Sequence, residues 1–219
     1  MKPESFSPLI AILGILLIMI SKRDKNKSIG TIMIGFAVLM YGMQLMAGAM
    51  KPLAEMPDFT NILTAFTNPI LGVLVGTIFT GVIQSSAASV GVLQALSMTG
   101  GITFGMAIPI IMGQNIGTCV TAMLSSVGAK KEAKRAAVVH LLFNIIGATV
   151  WIGIYSIVRL VFKPAILDSA ATLVGIAVVN TAFKILSTML LLPLSSLLEK
   201  LAILLVPDAK SEEKTVKLD

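Results

Sequence analysis

Long apolar runs alternate along this chain with short polar segments, and the run lengths lay out its elements. No charge occurs from Phe6 to Ile20, which is at the short end for a spanning helix, and a second apolar run extends from about Ile29 to Met50. A basic turn at 21–27 separates them. Lys51-Pro52 is expected to end the second helix, after which segment 51–67 mixes Glu55, Pro57 and Asp58 with apolar residues as an interfacial segment does. The stretches Asn68–Gly81 and Val90–Ser97 are apolar, but each is too short to cross a hydrocarbon core that takes about 20 helical residues. Two such arms joined by Gln84-Ser85-Ser86-Ala87-Ala88-Ser89 suit a re-entrant helical hairpin. The run Ile102–Val127 is long enough to span yet carries Gly113-Gln114-Asn115-Ile116-Gly117-Thr118 near its middle, which predicts one broken helix. A second basic segment, Lys130 to Arg135, precedes spans at about Ala136–Phe162 and Leu173–Val206.

Composition turns this pattern into a class. With 56% hydrophobic residues, 13% charged residues and a mean hydropathy of +0.93, a soluble globular domain is excluded and an all-α membrane protein of several spans is predicted. The net charge of +6 does not indicate nucleic acid, because the basic residues cluster beside apolar spans without interleaved aromatics. A positive-inside bias explains them. Loops 22–27 and 130–135 hold eight Lys and Arg residues between them and are expected on the cytoplasmic side of the plasma (inner) membrane. The N-terminus and segment 51–67 then lie outside, and the tail 207–219 is cytoplasmic. A hairpin entered from outside plus one broken span gives the odd number of crossings this requires. Three full crossings satisfy the same parity, so segment length alone favours the hairpin. The first apolar run lacks a small-residue cleavage site and reads as a retained transmembrane helix. Cys119, the sole cysteine, excludes an intramolecular disulfide and is expected to pack as a small residue. The expected division is two transmembrane helices (1–50), an interfacial segment (51–67), hairpin plus broken helix (68–129), basic loop plus two helices (130–206), and tail (207–219).

Amide and hydroxyl groups at membrane depth need partners that lipid does not offer. With Gln84 at the hairpin tip, Ser85 and Ser86 open the returning helix, whose first N–H groups have no intrahelical acceptor and favour an anion. At the second interruption Asn115 and Thr118 can act on an anion in the same way, and unwound carbonyls there, with Thr121 one turn on, offer oxygen ligands suited to sodium. Small residues also let helices approach closely, which is reason enough for a Ser or Thr taken singly. It explains Gln84 and Asn115 poorly, because amides are poor spacers. Lys184, about eleven residues into its span, is costly unless paired, solvated or snorkelling. It would offset anion charge or, if the final helix slides, sit near an interface, and both readings stay open. The segments Ala137-Val138-Val139-His140 with Phe143-Asn144, and Ala177-Val178-Val179-Asn180 with Phe183-Lys184, echo each other and place polar residues on one helix face. A Ser85/His140 hydrolase dyad is disfavoured because Ile83 stands where a nucleophile elbow has glycine. No catalytic residue is expected, and no enzyme.

Several of these segments recur together in a known family. Asn68-Pro69, Gln84-Ser85-Ser86, Gly91-Val92-Leu93-Gln94-Ala95-Leu96, Gly113-Gln114-Asn115-Ile116-Gly117-Thr118-Cys119-Val120-Thr121-Ala122, and Lys134-Arg135-Ala136-Ala137 through His140-Leu141-Leu142-Phe143-Asn144 resemble the type II sodium/phosphate cotransporter family. The likeness covers nearly the whole chain and is strongest to the second of that family's two inverted repeats. It implies sodium-coupled transport of inorganic phosphate, with Gln84, Ser85, Ser86 and Asn115 on phosphate and Gln84, Ser85, Ser86, Thr118 and Thr121 on sodium. Ser89, Gln114 and Lys184 are candidate accessory groups. Sodium is the coupling ion and no cofactor is implied. Ala87 departs from the pattern where the signature has a third serine, and no second Gln-Ser-Ser occurs. The resemblance therefore implies a half-transporter unit completed by a first-repeat partner or a homo-oligomer, although the basic bias of the loops opposes an inverted homodimer. A carrier of another oxyanion, or a non-transporting accessory subunit, are the alternatives.

Overall fold

The structure, a computed structural model, describes residues 6–54, 56 and 66–207, so most of the expected interfacial segment and the tail beyond 207 lie outside the described residues. The described residues are helical: α1 (Ser7–Ile20), α2 (Asp24–Ala54), α3 (Pro69–Ile83), α4 (Ser86–Ser97), α5 (Phe104–Gly117), α6 (Cys119–Ser125), α7 (Lys131–Val161), α8 (Leu173–Leu191) and α9 (Ser195–Leu205). Short 3₁₀ turns at Ala165–Asp168 and Leu192–Leu194 flank α8. Four helical segments are long and apolar enough to cross a membrane: Asp24–Met46, Phe104–Ser125, Lys131–Val161 and Leu173–Leu205. An apolar environment suits this composition, because a chain in lipid must satisfy its backbone within helices.

Helix starts follow local chemistry. Asn68 accepts from the Ile70 N–H at 3.0 Å ahead of Pro69, which has no N–H to satisfy, and Thr172 caps α8 by accepting from Gly175 N at 3.0 Å. Two boundaries differ from the sequence reading. The basic residues Lys25 and Lys27, and Lys131 to Arg135, lie in the first turns of α2 and α7 and not in loops. Asp24 and Glu132 in those turns suit the positive helix end. Pro52 does not end α2, which runs two residues further to Ala54, since a proline removes only its own bond to the preceding turn.

α5 is the centre of the molecule, with eleven of its fourteen residues buried. On one side Leu93, Ile102, Ile110, Ile111 and Ile176 pack with it, and on the other Met112, Ala148, Tyr155 and Phe183. α3 lies against α5 in parallel, because Gly72 meets Pro109, Gly76 meets Ile110 and Gln114, and Gly81 meets Val120. The contact is backbone to backbone: a Cβ on Gly76 would overlap the Ile110 carbonyl, and one on Gly113 the Val73 carbonyl. α4 returns antiparallel alongside this pair, tied to α3 through Ser89 and Thr80 and to α5 through Gln114. An antiparallel bridge between Thr103 and Ala170, with Ala171 N donating to Ile102 O at 2.8 Å, pins the starts of α5 and α8 together. α1 and α2 form a separate antiparallel pair that crosses where Gly14 meets Gly30.

Candidate functional site

A cavity of about 390 Å³ opens between one face of α4, the last turn of α5 and one face of α8. Its wall carries Ser86 and Gln94 from α4, Gln114 and Asn115 from α5, Thr118 from the α5–α6 break, and Asn180, Thr181 and Lys184 from α8. Among the described residues no carboxylate lines it. The cavity therefore offers amides, hydroxyls, one lysine and the N-terminal end of a twelve-residue helix.

The hairpin tip explains why this helix end is present. α3 closes at Gln84, whose φ of 57° and ψ of 22° place it in the left-handed region, and its N–H still bonds Thr80 O at 2.8 Å. Glycine or asparagine adopts that conformation more readily, so a glutamine there costs about 1 kcal/mol. Ser85 then caps α4, its Oγ accepting from Ala88 N at 3.2 Å. One turn on, the buried Ser89 hydroxyl pairs with Thr80 Oγ1 at 2.7 Å, which ties the two arms together. Gln114 Nε2 donates to Ser89 O at 3.0 Å and fixes α4 against α5.

The α5 groups are held in place. Asn115 Nδ2 donates to Ile111 O at 2.8 Å and to Asn180 Oδ1 at 3.2 Å, bridging α5 to α8. Thr118 Oγ1 donates to Gln114 O at 2.8 Å and Thr121 Oγ1 to Thr118 O at 2.9 Å. The interruption between α5 and α6 is narrower than the sequence suggests: it is Thr118 alone, at φ −58° and ψ −27°, and the Thr118 N–H still reaches Gln114 O at 3.1 Å. Carbonyls here are engaged, not unwound.

Of the residues singled out from sequence, Ser86, Gln114, Asn115, Thr118 and Lys184 meet at this cavity. Gln84, Ser85, Ser89 and Thr121 do not line it; Gln84 is exposed at the tip and Ser89 is buried behind it. Gln94, Asn180 and Thr181 join the wall without having been picked as ligands. The repeated pattern that puts Asn180 one turn from Lys184 held the signal for Asn180. His140 is exposed, its carbonyl accepts from Asn144 Nδ2 at 3.0 Å, and among the described residues no hydrogen bond joins it to Ser85. Cys119 is fully buried beside Asn144, as its packing role requires.

The cavity's residues lie within segments shared with known proteins. The chain is 26% identical over 199 residues to the uncharacterized protein YqeW of Bacillus subtilis, covering 90% of this chain and 64% of that one. It is 30% identical over 145 residues to the putative inorganic phosphate export protein YjbB of Salmonella typhimurium, covering 66% of this chain and 27% of the relative. With the human sodium-dependent phosphate transport protein 2B it shares 35% identity over 113 residues, covering 49% and 16%. The chain thus spans less than two thirds of the length of these relatives. No solved structure matches it significantly. The model of the family described as Na+/Pi-cotransporter matches residues 1–48 and 38–188, which together take in the hairpin, α5 and most of α8, and on that ground the chain belongs to the Na+/Pi-cotransporter family.

Proposed function

We propose that the cavity between α4, α5 and α8 holds inorganic phosphate, and that this chain supplies one wall of a sodium-coupled phosphate site in the plasma membrane. The observation that carries this reading is the meeting of Lys184, the N-terminal turn of α4 and the α5 amides and hydroxyls in a cavity without a carboxylate. Burying a phosphate dianion is prohibitive unless its charge is matched. One lysine and a helix end of roughly +0.5 charge leave about half a unit uncompensated, and sodium supplies it. Relatives named as a sodium-dependent phosphate transport protein and a putative phosphate exporter support the choice of ions.

Under this reading the α3–α4 hairpin is re-entrant. Its arms of fifteen and twelve residues span about 22 and 18 Å at 1.5 Å per residue, against a core of about 30 Å. Because α3 runs parallel to α5, the tip lies at the Ser125 end, towards the basic start of α7. If that basic segment is cytoplasmic, the hairpin enters from outside. Gln84 and Ser85, at the tip and off the cavity wall, are then placed to meet an opposing half supplied by a first-repeat partner or a second copy.

Radiolabelled phosphate uptake into vesicles, with sodium or choline outside, tests the proposal on the chain together with any partner that copurifies. Lys184→Met and Ser86→Ala should each cut sodium-dependent uptake at least tenfold. Uptake unchanged in both variants would overturn the site. The exporter name favours one second reading, in which flux through the same cavity is outward. Phosphate efflux from loaded vesicles decides between the directions.

A further inference from the structure

We propose that Gln114 Oε1 makes this cavity select tetrahedral oxyanions that carry a proton, phosphate and arsenate, over fully ionised ones such as sulfate. The inference rests on the reading of the cavity as a phosphate site. Gln114 is 2% exposed and lines the cavity. Its Nε2 donates to Ser89 O at 3.0 Å, and turning the amide over would set oxygen against oxygen, so the orientation is fixed. Its Oε1 is buried with no hydrogen-bond partner. Several donors on the wall are committed elsewhere: Asn115 Nδ2 to Ile111 and Asn180, Thr118 Oγ1 to Gln114 O, and Thr181 Oγ1 to Ala177 O; none of the others, Ser86, Asn180 and Lys184 included, bonds Gln114 Oε1. A buried acceptor without a donor is expensive, and it is satisfied when a donor enters with the ligand.

The rest of the cavity favours negative charge, so a buried acceptor with no donor of its own has a specific consequence. A P–OH donates to it, whereas every oxygen of sulfate at neutral pH is an acceptor and meets it lone pair to lone pair. Sites built to hydrogen-bond a ligand's O–H discriminate strongly against analogues that lack it.

The test is competition against radiolabelled phosphate bound to the purified chain together with any partner that copurifies, at fixed sodium. Arsenate should compete about as well as phosphate. Sulfate and monofluorophosphate, the latter a dianion of phosphate's shape without the P–OH, should compete on the order of 10- to 100-fold more weakly. Gln114→Met should narrow that gap at least tenfold. Monofluorophosphate competing as well as phosphate on the unaltered chain overturns the proposal without any variant. So does a gap unchanged in Gln114→Met, whether both anions weaken together, as a packing role would give, or only the sodium dependence moves, as a sodium ligand would give. If the unaltered chain together with its partner binds no phosphate, the cavity assignment falls first and this inference with it.

Discussion

Placing a methyl group on Gly113 should separate α3 from α5, and the same change at Gly35 should not. A Cβ on Gly113 would lie 2.8 Å from Val73 C and 2.9 Å from Thr77 N, and closer still to the Val73 carbonyl oxygen. All three are backbone atoms, so no rotamer change relieves the overlap and the helices must move apart. At Gly35 nothing lies within 4 Å. In both helices alanine is favoured over glycine by about 0.8–1.0 kcal/mol. Overpacking at Gly113 costs about 1–3 kcal/mol, more where only backbone can yield. Separation also breaks the bond from Thr77 Oγ1 to Gly113 O, now 3.1 Å, of a kind that averages ~0.6 kcal/mol in membrane proteins. The net expectation is a loss of roughly 1–3 kcal/mol for Gly113→Ala and a gain of up to about 1 kcal/mol for Gly35→Ala. The sole cysteine reports this directly: Cys119 is fully buried just beyond the contact, so a maleimide fluorophore labels it only as the helices open. At about 2–4 °C per kcal/mol, Gly113→Ala should lower the thermal labelling midpoint by roughly 2–12 °C, while Gly35→Ala holds or raises it. Equal midpoints for the two variants would refute the close-packed parallel register.

Three further outcomes follow from the same contacts. Gln84→Gly should leave the labelling midpoint unchanged or raise it by the equivalent of up to about 1 kcal/mol, since glycine adopts the left-handed tip without strain, while sodium-dependent phosphate uptake falls. A midpoint drop would show that the Gln84 side chain holds the fold. Ser89→Ala should cost about 1–2 kcal/mol by stranding the Thr80 hydroxyl, and the double variant with Thr80→Val should recover part of that loss in a double-mutant cycle; strict additivity would refute their coupling. Tyr155→Phe should cost about 1–2 kcal/mol in the same assay, because the phenol donates to the buried Gly105 carbonyl at 2.7 Å, and no shift would mean water replaces it.

The all-helical membrane architecture was legible because, in lipid, apolar run length and helix length are nearly the same quantity. The boundaries were less so. Lys, Arg and Glu are good helix formers, so Lys131 to Arg135 extend α7 beyond its apolar run instead of marking a loop, and the same holds for the start of α2. The polar clusters stood out in the sequence because amides rarely serve as packing spacers, and Ser86, Gln114, Asn115 and Thr118 of them meet at one cavity. Which of their members face the cavity was not legible, since that depends on helix phase and on α3 lying parallel to α5. Ser86, Val90 and Gln94 share one face of α4 at four-residue spacing, whereas Ser89 turns inward to Thr80. Thr118 reaches the wall while Thr121, less than one turn on, bonds back to the Thr118 carbonyl. Lys184 had two readings, and the structure puts it on the cavity wall as an exposed residue.

That position also bears on whether this wall can work alone. At Gln94, Ala177 and Thr181 the polar cavity passes into an apolar groove of about 680 Å³ lined by Phe36, Leu39, Met40 and Met43 of α2 and by Val178 and Ile185 of α8. An anion seated against Ser86 and Lys184 would face this groove on its open side. Left to hydrocarbon, that face of the ion would lose its hydration for nothing, at a cost of several kcal/mol per charge even after relaxation. One helix end and one lysine do not repay such a loss, because both are already spent on the opposite face of the ion. The proposed phosphate site therefore needs either water in the groove or a second polar surface across it. Gln84 favours the second surface: it is exposed at the hairpin tip, held in the left-handed backbone region, and does not line the cavity on this side.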